Sequence, residues 1–343
     1  MSDDRDDDAA LAPNQTSVLF GHAEAEQTLP NAYRGGRMPH AWLIGGQPGV
    51  GKATLAYRLA RFVLAHPDPL HAGVQGAVSL AVDPENPVAR RVAVRAQGDL
   101  LVLERAINDQ TGKLYTTIRV DDVRRTVGFF GSTAGEGGWR IAIVDAIDDL
   151  QREGANALLK ILEEPPPRTL LLLISHSPGR ELPTIRSRCR RLLLRPLATN
   201  DVVQAITVAT GRDANDAEIA QAAQASDGSV GRAVRFLDGP ALALRQRVLD
   251  LIAQLPNPDP RALHALGDAL SGSDPEILET FIDLVTGWLS QRLDANAGPE
   301  RMNKAAQAWD KISRAARDVE SYNLERKPLV FSVFNELAET VRK

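Results

Sequence analysis

The sequence has little cysteine, few aromatic residues and no strong excess of charge of one sign. Its single cysteine, Cys189, excludes an internal disulfide and a zinc site built from cysteines. No apolar run reaches the roughly 18 residues that a membrane-spanning helix needs. The first residues also lack the basic start and apolar stretch of a signal peptide. The net charge of −4 gives no support for a nucleic-acid or membrane partner. We therefore expect a cytoplasmic protein with no membrane partner.

The domain organisation follows from changes in pattern along the 343 residues, which are enough for two or three packed domains. The first eight residues hold five aspartates without a hydrophobic pattern, so we predict a disordered acidic tail over residues 1–14. Short apolar runs then alternate with helical patterns, which predicts an α/β domain with a parallel sheet over residues 15–197. Helical patterns alone follow, and they predict a small lid over residues 198–238 and an all-α domain over residues 241–343.

Five short apolar runs in the α/β domain predict strands that are buried on both faces. Their residue ranges are 41–44, 100–104, 141–145, 170–175 and 191–194. Helices are predicted over residues 52–64 and 154–164, the second being stopped by three prolines. Residues 66–98 are rich in Pro, Gly, Ala and Val without a sustained period, and we predict an irregular insertion there.

A glycine-rich segment, GQPGVGK at residues 46–52, lies between a predicted strand and a predicted helix. This is the context of a phosphate-binding loop, in which glycines let backbone N–H groups face phosphate oxygens and a lysine reaches the outer phosphates. The loop predicts nucleotide-binding ancestry and leaves open whether ATP or ADP is still bound. The candidate nucleotide-contacting residues are Gly46, Gly49, Val50, Gly51, Lys52, Ala53 and Thr54.

Two positions that support hydrolysis in such proteins carry alanine. Ala53 stands where a Ser or Thr hydroxyl normally binds magnesium, and Thr54 lies about 100° further round the helix. Asp145 ends a predicted strand as a candidate magnesium-assisting carboxylate, but Ala146 follows where hydrolysing proteins of this kind carry a glutamate. Loss of a general base typically costs roughly 10²–10⁴-fold in rate. We therefore predict that a bound nucleotide would not be hydrolysed and that magnesium would not be held tightly.

Two further segments point to one protein family. The segment ANALLKILEEPP at residues 155–166 and the segment LPTIRSRC at residues 182–189 resemble the clamp-loader branch of the AAA+ proteins, whose signature is the Ser-Arg-Cys triplet. Residues 136–140 and 175–180 resemble the delta prime members of that branch, which belong to bacterial DNA polymerase III. The resemblance covers nearly the whole chain. It implies a P-loop AAA+ sheet domain, a helical lid domain and a C-terminal helical collar domain.

The resemblance implies roles for residues outside the phosphate loop. Arg188 would be an arginine finger that enters the ATP site of a neighbouring subunit, a role suited to its permanent charge and planar fork. Ser177 falls where a polar sensor residue contacts the terminal phosphate. Arg232 is similar to the second sensor arginine of the lid, although it lies one position later than in the motor subunits. Independently of the resemblance, Glu163 and Glu164 end a predicted helix before prolines, a poor place for acid–base catalysis, and we assign them to packing or to subunit contact.

The resemblance also implies partners and the absence of a metal. The chain would be one subunit of a hetero-oligomer with motor (tau/gamma) subunits and a clamp-opening (delta) subunit. It would reach the sliding clamp and primer-template DNA through that complex. Many relatives carry a four-cysteine zinc module after the phosphate-loop helix. Residues 66–98 contain no cysteine, so we expect neither zinc nor another metal site.

Two other functions stay open at this point. An autonomous motor ATPase of the same family is opposed by Ala53 and Ala146. A P-loop small-molecule kinase would need an acceptor-binding acid or base that the sequence does not show. Taken without the Ser-Arg-Cys triplet, the arginines near Arg188 would fit a solvated strand edge that prevents wrong pairing.

Overall fold

The structure is a computed structural model of the chain. It describes residues 10–108, 114–131, 138–177, 182–237, 241–272, 275–292, 299–322 and 324–342. The chain divides into two compact units, Met1–Val234 and Arg235–Lys343. Most of the predicted lid lies within the first unit, and the division into three domains stays a prediction. Within the described ranges, every helix is too short or too polar to span a bilayer.

The first unit is built on a parallel sheet with strand order β2-β3-β4-β1-β5 in its described part. The α/β class predicted from alternating apolar runs is therefore confirmed, because parallel strands require crossover segments that cover the sheet. The strands are β1 (Ala41–Gly45), β2 (Leu100–Glu104), β3 (Arg140–Asp145), β4 (Thr169–Ser175) and β5 (Arg190–Leu193).

The helices of the first unit precede, connect and follow these strands. They are α1 (Ala23–Arg34), α2 (Lys52–Ala65), α3 (Ala72–Gln75), α4 (Pro87–Ala93), α5 (Val120–Gly131), α6 (Arg152–Glu163), α7 (Pro183–Arg186), α8 (Thr199–Thr210), α9 (Ala217–Ala225) and α10 (Val230–Leu237). A short 3₁₀ helix, Ile147–Asp149, follows β3. Because α2 follows β1 directly and α6 follows the 3₁₀ helix, both begin at the carboxyl edge of the sheet.

The three central strands carry the core of the first unit. Every residue of β1 and β4 is buried, as is every residue of β3 except its two ends. One side of the sheet packs on α6 through side chains such as Leu158 and Leu162. Cys189 packs at the border of this cluster, and burial raises the pKa of its thiol to about 12. The cysteine is therefore a packed side chain and not a reactive one.

The fifth strand differs from the prediction. Within the described residues β5 pairs with β1 alone, and three of its four residues, Arg190, Arg191 and Leu193, are exposed. The prediction that this strand is buried on both faces is therefore wrong. The Arg190 guanidinium lies 5.2 Å from the centre of the Trp42 ring on β1, so a charged group of the edge strand β5 covers this ring. Charged residues on an edge strand discourage pairing with another chain.

Two segments have more structure than the sequence predicted. The region predicted as an irregular insertion, residues 66–98, contains α3 and α4, and α4 packs on α2. Asn86 begins α4 by accepting a hydrogen bond from Val88 N at 2.9 Å, and Pro87 follows at the first helical position. Part of the predicted disordered tail also contacts the fold, since Asn14 is buried and its Nδ2 donates to Ala93 O at 2.6 Å. Residues 1–9 lie outside the described residues.

The second unit is helical in its described part, as predicted. Its helices are α11 (Ala241–Ala253), α12 (Pro260–Leu270), α13 (Pro275–Arg292), α14 (Pro299–Tyr322) and α15 (Arg326–Val341). α15 packs on α12 and α14, and α13 packs on α11 and α14. Phe281 and Val285 of α13, which the helical spacing predicted as core residues, are fully buried together with Phe334 of α15.

Candidate functional site

The phosphate loop leaves the carboxyl end of β1 and enters α2 at Lys52. Gly46, Gly49 and Gly51 have φ angles of 152°, 74° and 99°, a region in which a side chain is strained. A Cβ atom on Gly46 would also lie 2.6 Å from Leu194 O, so the loop passes directly beside the end of β5. The glycines predicted for this loop are therefore required by its shape.

Lys52 is buried, with 3% of its surface exposed, and its Nζ donates to Gly46 O and Gln47 O at 2.7 Å each. The Lys52 ammonium group thus lies within the loop, where a phosphate would also bind. The next residue, Ala53, offers no hydroxyl, and Thr54 follows it on another side of α2. Because the first N–H groups of a helix lack intrahelical partners, the loop can hold phosphate oxygens. The residues present fit a phosphate.

The neighbouring strand ends bring further charged side chains to the same edge of the sheet. Asp145 ends β3, and burial raises the pKa of its carboxyl, while the charge of Lys52 acts in the opposite direction. Ala146 after it is buried, with 1% of its surface exposed. No group of three or more His, Cys, Asp or Glu side chains in the described part is arranged to hold a metal ion. Ala53 lacks the hydroxyl ligand that a phosphate loop gives to magnesium, and weak magnesium binding stays a prediction.

Two aspartates after β3, Asp148 and Asp149, contact the ends of neighbouring strands. Asp148 Oδ2 accepts a hydrogen bond from His176 N at 2.7 Å, which joins the ends of β3 and β4. Asp149 Oδ2 lies 3.4 Å from Arg105 Nε, and Arg105 follows directly on β2. The sequence could have indicated these contacts. Arg105, Asp148 and His176 each follow a predicted strand, and residues after neighbouring parallel strands meet at the carboxyl end of the sheet.

The segment after β4, in which the resemblance predicts a sensor residue, contains His176 and Ser177. Ser177 N donates to Ser175 Oγ at 3.3 Å, so its main chain is fixed to the strand end. His176 Nδ1 is buried and has no hydrogen-bond partner within the part of the chain that the structure describes. Burial, helped by the charges of Lys52 and Arg105, lowers the pKa of this ring to about 3. The ring is therefore neutral at pH 7 and lies among cations that a phosphate would offset.

This shift predicts that stability falls in acid. Below pH 6.5 the unfolded His176 takes a proton while the folded ring does not, so its contribution is lost as the pH falls from 6.5 toward 3. Between pH 7.5 and pH 5.0 this amounts to about 2 kcal/mol of unfolding free energy. We expect His176→Asn to lose about that much less than the wild type, measured by urea unfolding at both pH values. His71→Asn, which replaces an exposed histidine, should behave like the wild type. Equal losses in wild type and His176→Asn would contradict the assignment.

The start of α10 closes directly on the phosphate loop. Ser229 Oγ donates to Pro48 O at 2.9 Å, and Gly231 N donates to Gly49 O at 3.0 Å. A Cβ atom on Gly49 would lie 2.4 Å from Ser229 Oγ, so the two segments are in tight contact. On the other side of the loop, His22 Nε2 lies 2.8 Å from Val50 O, and burial lowers the pKa of His22. The loop is therefore fixed by contacts on two sides.

Arg232 follows Gly231 at the start of α10 and forms hydrogen bonds with the turn that precedes this helix. It is buried, with 5% of its surface exposed, and its Nη1 donates to Ser226 O and Asp227 Oδ2 at 3.2 Å each. Asp227 O in turn accepts from Gln47 Nε2 at 2.9 Å. The arginine thus holds the turn that meets the phosphate loop, and its proposed contact with a phosphate stays a prediction.

Arg188 lies at the amino end of the parallel strands, opposite the end that carries the phosphate loop. It precedes β5, whereas the phosphate loop follows β1, and the two strands are parallel neighbours. A four-residue strand is about 13 Å long, so Arg188 and the loop are separated by the length of the sheet. One third of the Arg188 side chain is exposed, and its Nη2 lies 2.7 Å from Glu163 Oε1. Asp145 and Ser177 lie at the same end of the sheet as the loop, whereas Arg188, predicted to act in a neighbouring subunit, lies at the other end. Their contacts with a nucleotide stay a prediction.

Comparisons with known proteins agree on one family. A family model described as DNA polymerase III, delta subunit, matches residues 21–198, more than half of the chain. The DNA polymerase III subunit delta' of Pseudomonas aeruginosa is 40% identical over 157 residues, which are 45% of this chain and 43% of that protein. The delta' subunit of Escherichia coli is 32% identical over 176 residues, which are 50% and 46% of the two chains.

Motor subunits of the same polymerase are also similar to the chain. The tau subunit of Bacillus subtilis is 26% identical over 280 residues, which are 81% of this chain and 42% of that protein. The chain thus spans less than half the length of these curated relatives. A solved structure of a DNA polymerase III gamma subunit-related protein from Thermotoga maritima covers 92% of this chain and 99% of its own, with a TM-score of 0.42 and 17% identity.

Proposed function

The chain belongs to the DNA polymerase III delta subunit family of clamp-loader proteins, and we propose that it is a clamp-loader subunit that donates Arg188 to a neighbouring ATPase without hydrolysing ATP itself. In this role it supports the ATP-dependent loading of a sliding clamp onto primed DNA. The proposed neighbours are tau/gamma-type motor subunits and a delta-type clamp-opening subunit. The clamp and the primer-template DNA are contacted through the assembled complex, and the helical second unit would supply the collar contacts.

The position of Arg188 is the observation that carries this proposal. The arginine lies at the amino edge of the sheet, while the chain's own phosphate loop lies at the carboxyl edge. It is therefore too far from that loop to stabilise phosphates bound there. An exposed guanidinium at this edge can instead reach a nucleotide held at the carboxyl edge of an adjoining subunit. Arginine suits such a role, since its charge is permanent and its planar fork matches phosphate oxygens.

The loss of turnover follows from two alanines and from what surrounds them. Bound magnesium would neutralise charge on the outer phosphates, and Ala53 cannot provide its hydroxyl ligand. Ala146 is buried and has no group that could activate a water. Of the three positions that would bind magnesium or activate water, only the one at Asp145 keeps a suitable side chain. We therefore propose that ATP or ADP, if retained, is held by the loop and Lys52 as a structural ligand, with neither tightly bound magnesium nor zinc.

We expect the purified chain to show no ATP turnover, and we expect a reconstituted clamp loader that lacks the chain to lose its DNA-stimulated turnover. The motor and clamp-opening subunits should come from the same genome, and released phosphate is the quantity to measure. Lys52→Ala is the control for the isolated chain, because turnover that survives this change comes from a contaminant.

Two outcomes would overturn the proposal. Turnover by the isolated chain that disappears in Lys52→Ala would identify an autonomous motor or another P-loop enzyme. An assembly that hydrolyses ATP and loads clamps equally well without the chain would show that the chain is not a functional clamp-loader subunit.

A further inference from the structure

We propose that Glu163 competes with the neighbouring subunit's ATP for Arg188, so that this carboxylate sets the ATP concentration at which the finger engages. The inference rests on the proposed role of Arg188 in trans. It assigns Glu163, which the sequence suggested only for packing or subunit contact, as a positioning residue that acts through the arginine.

The contact that supports this proposal lies at the end of α6. Glu163 is the last residue of that helix, and its Oε1 lies 2.7 Å from Arg188 Nη2. The other terminal nitrogen, Nη1, donates to Thr184 O at 2.9 Å and to Ser187 Oγ at 3.3 Å. The guanidinium is therefore held by one charged group and two neutral groups of its own chain.

The two kinds of partner have different consequences for an approaching phosphate. Thr184 O and Ser187 Oγ carry no net charge and belong to the same turn as Arg188, so they can keep their bonds when a phosphate binds. Glu163 carries a negative charge beside the position that the phosphate must occupy. Because neighbouring like charges repel each other, the Glu163 carboxylate opposes phosphate binding and must separate from the arginine. Glu163 thus favours the disengaged state of the finger.

The pair is weak enough to be displaced. The side chains of Arg188 and Glu163 are 34% and 50% exposed, so water screens their attraction. Exposed pairs of this kind change an equilibrium by about fivefold at most. A triphosphate carries several negative charges and can displace a single carboxylate of this strength. The pair therefore changes the ATP requirement without blocking the finger.

Glu163→Gln tests the proposal in a reconstituted clamp loader. The other motor subunits should carry a substitution of their P-loop lysine, so that only the site facing Arg188 hydrolyses ATP. We expect the KM for ATP to fall about three- to fivefold with kcat unchanged, because the carboxylate opposes ground state and transition state alike. Glu164→Gln is the matched control, since it removes the adjacent carboxylate at the same helix end and should leave KM unchanged.

The combination with Arg188→Ala separates failure of this inference from failure of the proposed function. When Arg188 is absent, Glu163→Gln should have no effect on KM. A strong effect of Arg188→Ala together with an unchanged or raised KM in Glu163→Gln would overturn the competition and leave the finger in place. If Arg188→Ala has no effect, the proposed function fails and this inference fails with it.

Discussion

Arg188→Ala is expected to lower ATP turnover at the motor site that faces this subunit by about 10³-fold or more. An arginine finger stabilises the charge that develops on the transferred phosphoryl group, and alanine removes both that charge and the planar fork. The side chain lies before the amino end of β5 and away from the chain's own loop, and we propose that another subunit's nucleotide uses it. The main effect should therefore fall on kcat of the neighbouring site, and KM for ATP should rise by a smaller factor because the ground-state contact is lost as well.

The measurement needs an assembly in which only that neighbouring site is active, as in the test of Glu163. Phosphate release in the presence of primed DNA and clamp should be compared for wild type and Arg188→Ala. Arg188→Lys keeps the charge and loses the fork, so its turnover should stay well below that of the wild type. Arg186→Ala is the matched control, because Arg186 is an exposed arginine two residues earlier in the same turn. Equal turnover in Arg188→Ala and Arg186→Ala would show that Arg188 has no special role.

Gly228→Ala is expected to lower the free energy of unfolding of the first unit by about 3 kcal/mol. Gly228 has a φ of 77°, where an alanine is strained by about 1 kcal/mol. Its Cβ would also lie 2.6 Å from both Leu197 N and Leu197 O, and Leu197 N donates a hydrogen bond to Gly228 O at 3.0 Å. Forcing a methyl group into a packed contact typically costs a further 1–3 kcal/mol.

The chain offers a control that separates these two contributions. Gly211 ends α8 with a φ of 68°, but no atom lies within 4 Å of a Cβ added there. Gly211→Ala should therefore cost only about 1 kcal/mol, the strain of the backbone alone. Urea unfolding of the full chain, followed by circular dichroism, gives both values. Equal losses in the two variants would mean that the contact between Gly228 and Leu197 relaxes without cost.

The contact between Gly228 and Leu197 also affects the phosphate loop. The turn at Gly228 precedes Ser229 and Gly231, which bond to the phosphate loop. A shift of this turn would withdraw both donors from the loop carbonyls of Pro48 and Gly49. The segment around Ser229 and Gly231 thus fixes the loop through one side-chain and one main-chain donor. This arrangement agrees with a subunit whose shape is needed in the assembly even when its own site does not hydrolyse ATP.

Much of the first unit could be predicted from local sequence. Buried parallel strands are continuous apolar runs, so β1, β3 and β4 were found within a residue of their ends. The phosphate loop was found because its three glycines and Lys52 are adjacent in the chain. The position of the edge strand β5 was predicted within a residue, but its burial was predicted wrongly. The sequence of an apolar run does not show whether other elements cover both faces of the strand.

Other features depend on groups that are far apart in the chain. Ser229 meets Pro48 across 181 positions, and no local pattern indicates which turn closes on the loop. Asp148 meets His176 only because β3 and β4 are neighbours in the sheet.

The sequence by itself determined the chemistry that this protein has and lacks: the phosphate loop, the two alanines in place of hydrolytic residues and the Ser-Arg-Cys triplet around Arg188. These features are short and contiguous, and their meaning depends on residue type and spacing. Only the tertiary structure decided which groups act on one another. The parallel pairing of β5 with β1 placed Arg188 at the amino end of the sheet, opposite the chain's own loop, and the packing of α6 against α7 brought Glu163 to its guanidinium. The physical reason is that electrostatic and hydrogen-bond interactions depend on distance in space, which chain separation does not specify.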